Sequence, residues 1–173
     1  MTGRWLRRAV ALASLLLILA RPEPAQAQDV KELASLREQV SQLYSQGKYA
    51  EALPIAERYV ALARQLRGEE HTEFATAIAL MGYVLVAQGR YAEAEPLSKR
   101  DLAITEKALG PDHPHVGTSL NNLAGLHRAQ GRYAEAEPLY KRSLALHEKA
   151  LGPHHPQVGT SLVESRLLLG NSA

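Results

Sequence analysis

The chain has 173 residues, 46% of them apolar, with 20 basic and 18 acidic side chains and no cysteine. That composition rules out disulfides and thiolate metal sites and leaves stability to the packing of an apolar core. The first 27 residues hold four of the arginines and one glutamate, so the remaining 146 (173 − 27) carry 16 basic (20 − 4) and 17 acidic (18 − 1) side chains, a near-neutral balance that does not favour nucleic acid or anionic lipid as a partner.

Arg4, Arg7 and Arg8 precede an uncharged run at 9–20, AVALASLLLILA, and the small-residue triplet Ala25-Gln26-Ala27 follows. This is the pattern of a signal peptide over 1–27, cleaved after Ala27. The run is too short to span a hydrocarbon core of about 30 Å as a helix, so no membrane span is expected in the mature chain, 28–173. Export through the general secretory route to the periplasm or beyond is expected, and the Arg7-Arg8 pair fits twin-arginine export poorly.

Val30, Leu33, Leu36, Val40 and Leu43 recur at helical spacing, which predicts a first amphipathic helix. A second, from Tyr49 to Leu66, opens a motif that returns at Tyr91 and Tyr133. YAEAEPLSKRDLAITEKALGPDHPHVGTSL, from Tyr91, and YAEAEPLYKRSLALHEKALGPHHPQVGTSL, from Tyr133, agree at 24 of 30 positions, so the chain is an array of period 42. Such a period denotes one helical unit stacked on copies of itself, because a single unit cannot bury its own apolar face. In the third copy Leu120, Leu123, Ala124 and His127 form the inward stripe of the leading helix, and Tyr133, Ala136, Tyr140 and Leu144 that of the trailing helix.

Punctuation recurs with the same period. Gly47, Gly89 and Gly131 close the leading helices. Ala52, Ala94 and Ala136 let the two helices of a pair approach closely. Gly110 and Gly152 end trailing helices, and Pro114 and Pro156 suit the first turn of the next. Pro54, Pro96 and Pro138 fall inside the trailing helices, where a late helix start or a slight bend is expected. The count is seven helices, the last over 156–169. Leu167, Leu168 and Leu169 cannot all face inward, which leaves a patch for pairing with a second copy of the chain, a homo-oligomer through the C-terminal helix.

The motifs Asn121-Asn122-Leu123-Ala124, Gln130-Gly131-Arg132-Tyr133-Ala134-Glu135-Ala136 and Leu109-Gly110-Pro111-Asp112-His113-Pro114 resemble those of the tetratricopeptide repeat family, in the 42-residue form typical of kinesin light chain. The resemblance implies an all-α fold, a right-handed α-solenoid of antiparallel helix pairs. Its repeats fall at about 30–67, 72–109 and 114–151, followed by the helix at 156–169. It also implies a concave groove, lined by the leading helices, that takes a peptide or protein partner. On that geometry the groove positions are Arg37, Ser41 and Tyr44 in the first copy, Thr76, Ala79, Tyr83 and Val86 in the second, and Thr118, Asn121, Asn122 and Arg128 in the third. Asn121 offers an acceptor and two donors to a guest backbone, and Arg128 a two-pronged grip on a carboxylate. The plainer alternative is a solvated surface copied along with the repeat.

His71, His113 and His155 stand 42 apart, one per connector, too far from one another to share an ion whose ligands lie about 2.1 Å from it. Their expected role is in starting the next helix. Glu93 with Glu95 and Glu135 with Glu137 point to different helix faces and form no acid/base couple. No nucleophile elbow, phosphate-cradling glycine loop or paired-histidine zinc motif occurs, so neither an enzyme nor a cofactor or metal is expected. Two readings compete with a binding module: a unit that assembles chiefly with itself, and an accessory piece of a larger repeat protein.

Overall fold

The structure is a computed structural model that describes residues 23–156, 158, 159, 162 and 163. The segment at 1–22, most of the expected signal peptide, lies outside the described residues, as do Leu167, Leu168 and Leu169. Among the described residues six full helices follow one another: α1 (Glu23–Ser45), α2 (Tyr49–Arg67), α3 (Thr72–Ala87), α4 (Tyr91–Leu109), α5 (Pro114–Ala129) and α6 (Tyr133–Leu151). Pro156, Val158, Gly159, Leu162 and Val163 are again helical, so a further helix starts where the sequence placed it. The architecture is an all-α repeat solenoid.

Each leading helix ends in a glycine that carries the turn. Gly47, Gly89 and Gly131 have φ of 72°, 74° and 74°, and the amides that follow, of Lys48, Arg90 and Arg132, reach back to Leu43, Leu85 and His127 carbonyls at 2.9, 2.9 and 2.8 Å. This six-to-one closure is the Schellman arrangement, and the left-handed glycine is what permits it. Gly68, Gly110 and Gly152 end the trailing helices in a backbone region essentially reserved for glycine, with ψ between 157° and 165°. Beyond them His71 and His113 cap the next helix: their Nδ1 atoms accept from the Glu73 and His115 amides at 3.0 and 3.2 Å. The connector histidines thus act as helix starters.

Pro54, Pro96 and Pro138 do not delay the trailing helices, which begin at Tyr49, Tyr91 and Tyr133. Each proline removes a bond to the carbonyl four residues back, on Ala50, Ala92 or Ala134. Those residues are exposed, so water can take the bond's place.

Ala52, Ala94 and Ala136 are fully buried at the close approach of each pair. The trailing stripe differs from expectation at its ends. Tyr133 is 43% exposed because it sits at the first turn, and the inward face runs through Ala136, Tyr140, Ser143, Leu146 and His147, with Leu144 half-buried. Successive layers meet mainly where a trailing helix packs on the next leading helix, α2 on α3 and α4 on α5; leading helices also touch one another, α1 on α3 and α3 on α5, more than trailing ones do, which gives the leading-helix face its concavity. Arg58, Arg100 and Arg142, 42 apart, form a ladder of ion pairs to Glu32, Glu70 and Glu106 at 2.5, 2.7 and 2.7 Å. These pairs are substantially exposed, so water and salt screen them and they add little to stability.

Candidate functional site: the concave groove

Two adjoining cavities open on the leading-helix face and share Leu80 and Tyr83 as a common wall. The first, about 210 Å³, is lined by Val40, Ser41, Tyr44, Leu80 and Tyr83 between α1 and α3. Tyr44 leans against Tyr49 and Tyr83, with ring centroids 5.3 and 6.1 Å away and planes tilted by 57°, an aromatic wall on an apolar hollow. Partial burial, and then the neighbouring Tyr49, raise the Tyr44 phenol above its ordinary pKa, so the wall stays uncharged at neutral pH.

The second cavity, about 280 Å³, lies between α3 and α5, with α4 as its floor and Arg37 of α1 at one rim. Its walls carry Thr76, Tyr83, Thr118, Ser119 and Asn122, and its floor Asp101 and Thr105. The Tyr83 hydroxyl donates to Asn122 Oδ1 and ties α3 to α5 across the opening. Burial above all, and then the nearby Asp101 carboxyl, push the Tyr83 phenol well above its usual range. Asp101 is 4% exposed and accepts from the Thr105 hydroxyl at 3.3 Å and from Ser119. Burial outweighs these bonds and pushes its carboxyl up to about 6.

Of the sequence-predicted groove residues, Arg37, Tyr44, Thr76, Tyr83, Thr118 and Asn122 line one or both cavities, together with Ser41 and Ala79. Val86, Asn121 and Arg128 line neither. All three are half-buried, and Asn121 Oδ1 is enclosed without a hydrogen-bond partner. Asp101 is the addition that sequence reasoning missed, because groove positions were sought only on leading helices and Asp101 belongs to a trailing one. A signal for it did exist: Asp101 is one of the few positions at which the two near-identical copies differ, opposite Ser143.

Among the described residues no group of three or more histidine or acidic side chains is placed to hold a metal ion, and no helix is long and apolar enough to cross a membrane. The His113 and His115 rings lie side by side, tilted by 31° with centroids 5.2 Å apart.

A family model for the tetratricopeptide repeat matches residues 31–100, 73–149 and 118–164. No curated protein sequence matches the chain. Among solved structures, a kinesin-light-chain-type protein of Podosopora anserina with nearly identical TPR-like repeats is similar over 79% of this chain, at a TM-score of 0.72 and 27% identity. The chain spans 64% of that protein's length. BtubC (BKLC) from P. vanneervenii superposes at a TM-score of 0.67 and 18% identity over 86% of this chain and 66% of that one. The TPR domain of Arabidopsis FLU does so at 0.61 and 21%, over 70% and 98%. At those identities the last two show likeness of fold alone. With three overlapping matches to the repeat model, stacked helix pairs and a 42-residue period of glycine and alanine, the chain belongs to the tetratricopeptide repeat family.

Proposed function

We propose that the chain is a non-catalytic binding module that takes a segment of a partner polypeptide into its concave face, and that it does so after export through the segment at 1–27. The observation that carries the first part is the pair of joined cavities on the leading helices, one aromatic and apolar, the other edged with hydroxyl and amide groups. A polypeptide offers both kinds of group along its length, and repeat arrays of this family generally serve as protein-interaction scaffolds. Export is supported by the sequence pattern. Cleavage after Ala27 would shorten α1 only at its outer end and keep Leu33, Leu36 and Val40, the residues that bury it.

The test is site-specific photocrosslinking of the mature chain in a periplasmic extract. A photoreactive side chain at Thr76 or Thr118, in the groove, is expected to capture a partner polypeptide, and one at the exposed Ala92 on α4 is not. Equal capture at Ala92, or none from the groove positions, would overturn the reading. N-terminal sequencing of the exported protein should start at Gln28.

A further inference from the structure

One register on the inward face of the trailing helices carries three different chemistries. Tyr59, Asp101 and Ser143 stand 42 apart and are all buried. Tyr59 fills its layer with a ring, and its hydroxyl donates to Glu73 Oε1 at 2.5 Å. Ser143 donates to the Gly117 carbonyl at 2.6 Å, beside a His147 ring that lies against Gly117 and has its Nε2 3.1 Å from the Pro114 carbonyl. In both outer layers the chain's own atoms occupy the site. The middle layer is different: Asp101 and Thr105 face an open cavity.

Asp101 is also the costliest of the three to bury. Two hydroxyls satisfy part of its oxygen capacity, and no basic side chain pairs with it among the described residues. A carboxylate withdrawn from water without a counter-cation is strongly disfavoured, and a cation brought to it removes much of that penalty. The surroundings bear on which cation fits. Tyr83 on α3 is neutral and directs its hydroxyl to Asn122 Oδ1, whose remaining lone pair can accept a further donor. Ala79 and Leu80 give the cavity an apolar side. Its volume of about 280 Å³ falls below the roughly 300–1,000 Å³ of small-molecule pockets, a size for one side chain. Arg37 on α1 and His115 on α5 complete the charged or titratable lining. Both are exposed, so water and salt screen them from the buried floor far more than from the rim.

We propose that the middle cavity is a subsite for a lysine side chain of the bound polypeptide, its ammonium set between the Asp101 carboxylate and the Asn122 amide oxygen and its methylene stem along Ala79 and Leu80. A compact ammonium on a slender stem suits a narrow hollow with acceptors on more than one side better than a planar guanidinium does. The inference rests on the reading of the groove as a polypeptide-binding surface.

An array of short degenerate peptides, each pool fixed at one position, tests it with the mature chain. Lysine-fixed pools should bind about tenfold more tightly than the same pools carrying acetyl-lysine, the effect of one charge-assisted contact. Asp101→Asn, which keeps the volume, and Asp101→Ser, which installs the residue the next layer already tolerates at Ser143, should each abolish that preference while peptide binding persists. In a His115→Gln background, which removes the imidazole and installs the residue found at Gln157, lysine preference should fade as pH falls below about 6. Peptide binding without a lysine preference, or with one that survives in both Asp101 variants, overturns the subsite and leaves the groove reading standing. Absence of any peptide binding overturns both.

Discussion

The trailing helices α4 and α6 are near-duplicates in sequence, yet the residues in which they differ all lie on their inward faces. Of the six differences across the 30 aligned positions, four set Ser98 against Tyr140, Asp101 against Ser143, Ile104 against Leu146 and Thr105 against His147. All eight of these residues are buried. The other two differences, Asp112 against His154 and His115 against Gln157, are in or beside the exposed connector; the capping glycines, the connector prolines and the ladder arginine are unchanged, so duplication preserved the scaffold while the inward face of the trailing helix changed. The changes are matched across the helix pair. Thr105 goes with Ala75 on the leading helix and His147 with Gly117; likewise Ser98 goes with Tyr83 and Tyr140 with Gly125. An inner side chain can be exchanged only when the facing helix makes or fills the space. One layer closes over its core, and the other keeps a hollow.

Loss of a large side chain from the closed layer should have the greatest effect. Tyr140 is 1% exposed and packs against Ala124 and Ala136. Tyr140→Ser, which copies the residue at Ser98, should cost about 3–5 kcal/mol in denaturant unfolding, because Gly125 leaves no neighbouring side chain to fill the void. Ser98→Ala in the open layer should cost no more than about 1 kcal/mol, since its hydroxyl bonds only the Ala94 carbonyl of its own helix, at 3.2 Å. Equal costs would mean that the two interiors are equally well filled.

The open layer should betray itself through pH. Burial raises the Asp101 carboxyl from 3.8 to about 6, so the group favours the folded state in acid, and that contribution is lost as pH rises through about 6. At neutral pH the full penalty is present, at most about 3 kcal/mol for a shift of this size. Asp101→Asn should therefore melt above the parent chain at neutral pH, with the gap closing toward pH 4. A gap independent of pH would show that the carboxyl is as well hydrated as in the unfolded chain.

The scaffold was legible in the sequence because its signals are local and repeated. A glycine at a fixed distance before Tyr-Ala-Glu-Ala can be read as a left-handed turn without knowledge of any other helix, and Gly47, Gly89 and Gly131 adopt that conformation. The groove was legible in part, since off-stripe positions such as Thr76, Tyr83 and Asn122 depend only on the helix period. Asn121 precedes Asn122 by a rotation of about 100°, and which of the two faces the hollow depends on where the neighbouring leading helix lies. Asp101 was hidden for a related reason. A lone acidic residue on a mostly polar helix reads as a solvated one, and only the packing of α5 across it, with Ser119 and Asn122, turns that position into a buried floor.

The most discriminating comparison exchanges a matched pair between the layers. A Cβ added to Gly117 would lie 2.7 Å from His147 Nε2, inside any real contact, so Gly117→Ala forces the imidazole off the Pro114 carbonyl or pushes α5 away from α6. The buried ring has little room to yield, and a loss of about 1–3 kcal/mol is expected. His147→Thr alone should also destabilise, by leaving a void beside Gly117. The two together recreate the Ala75 and Thr105 pairing of the preceding layer, and the double variant should be more stable than the sum of the single losses predicts, by about 1 kcal/mol or more. Strict additivity would mean that the two layers differ by drift at independent positions; coupling would mean that each interior is a joint solution reached by both helices, which is the condition under which one layer could keep its hollow while the next, with a near-identical trailing helix, closed.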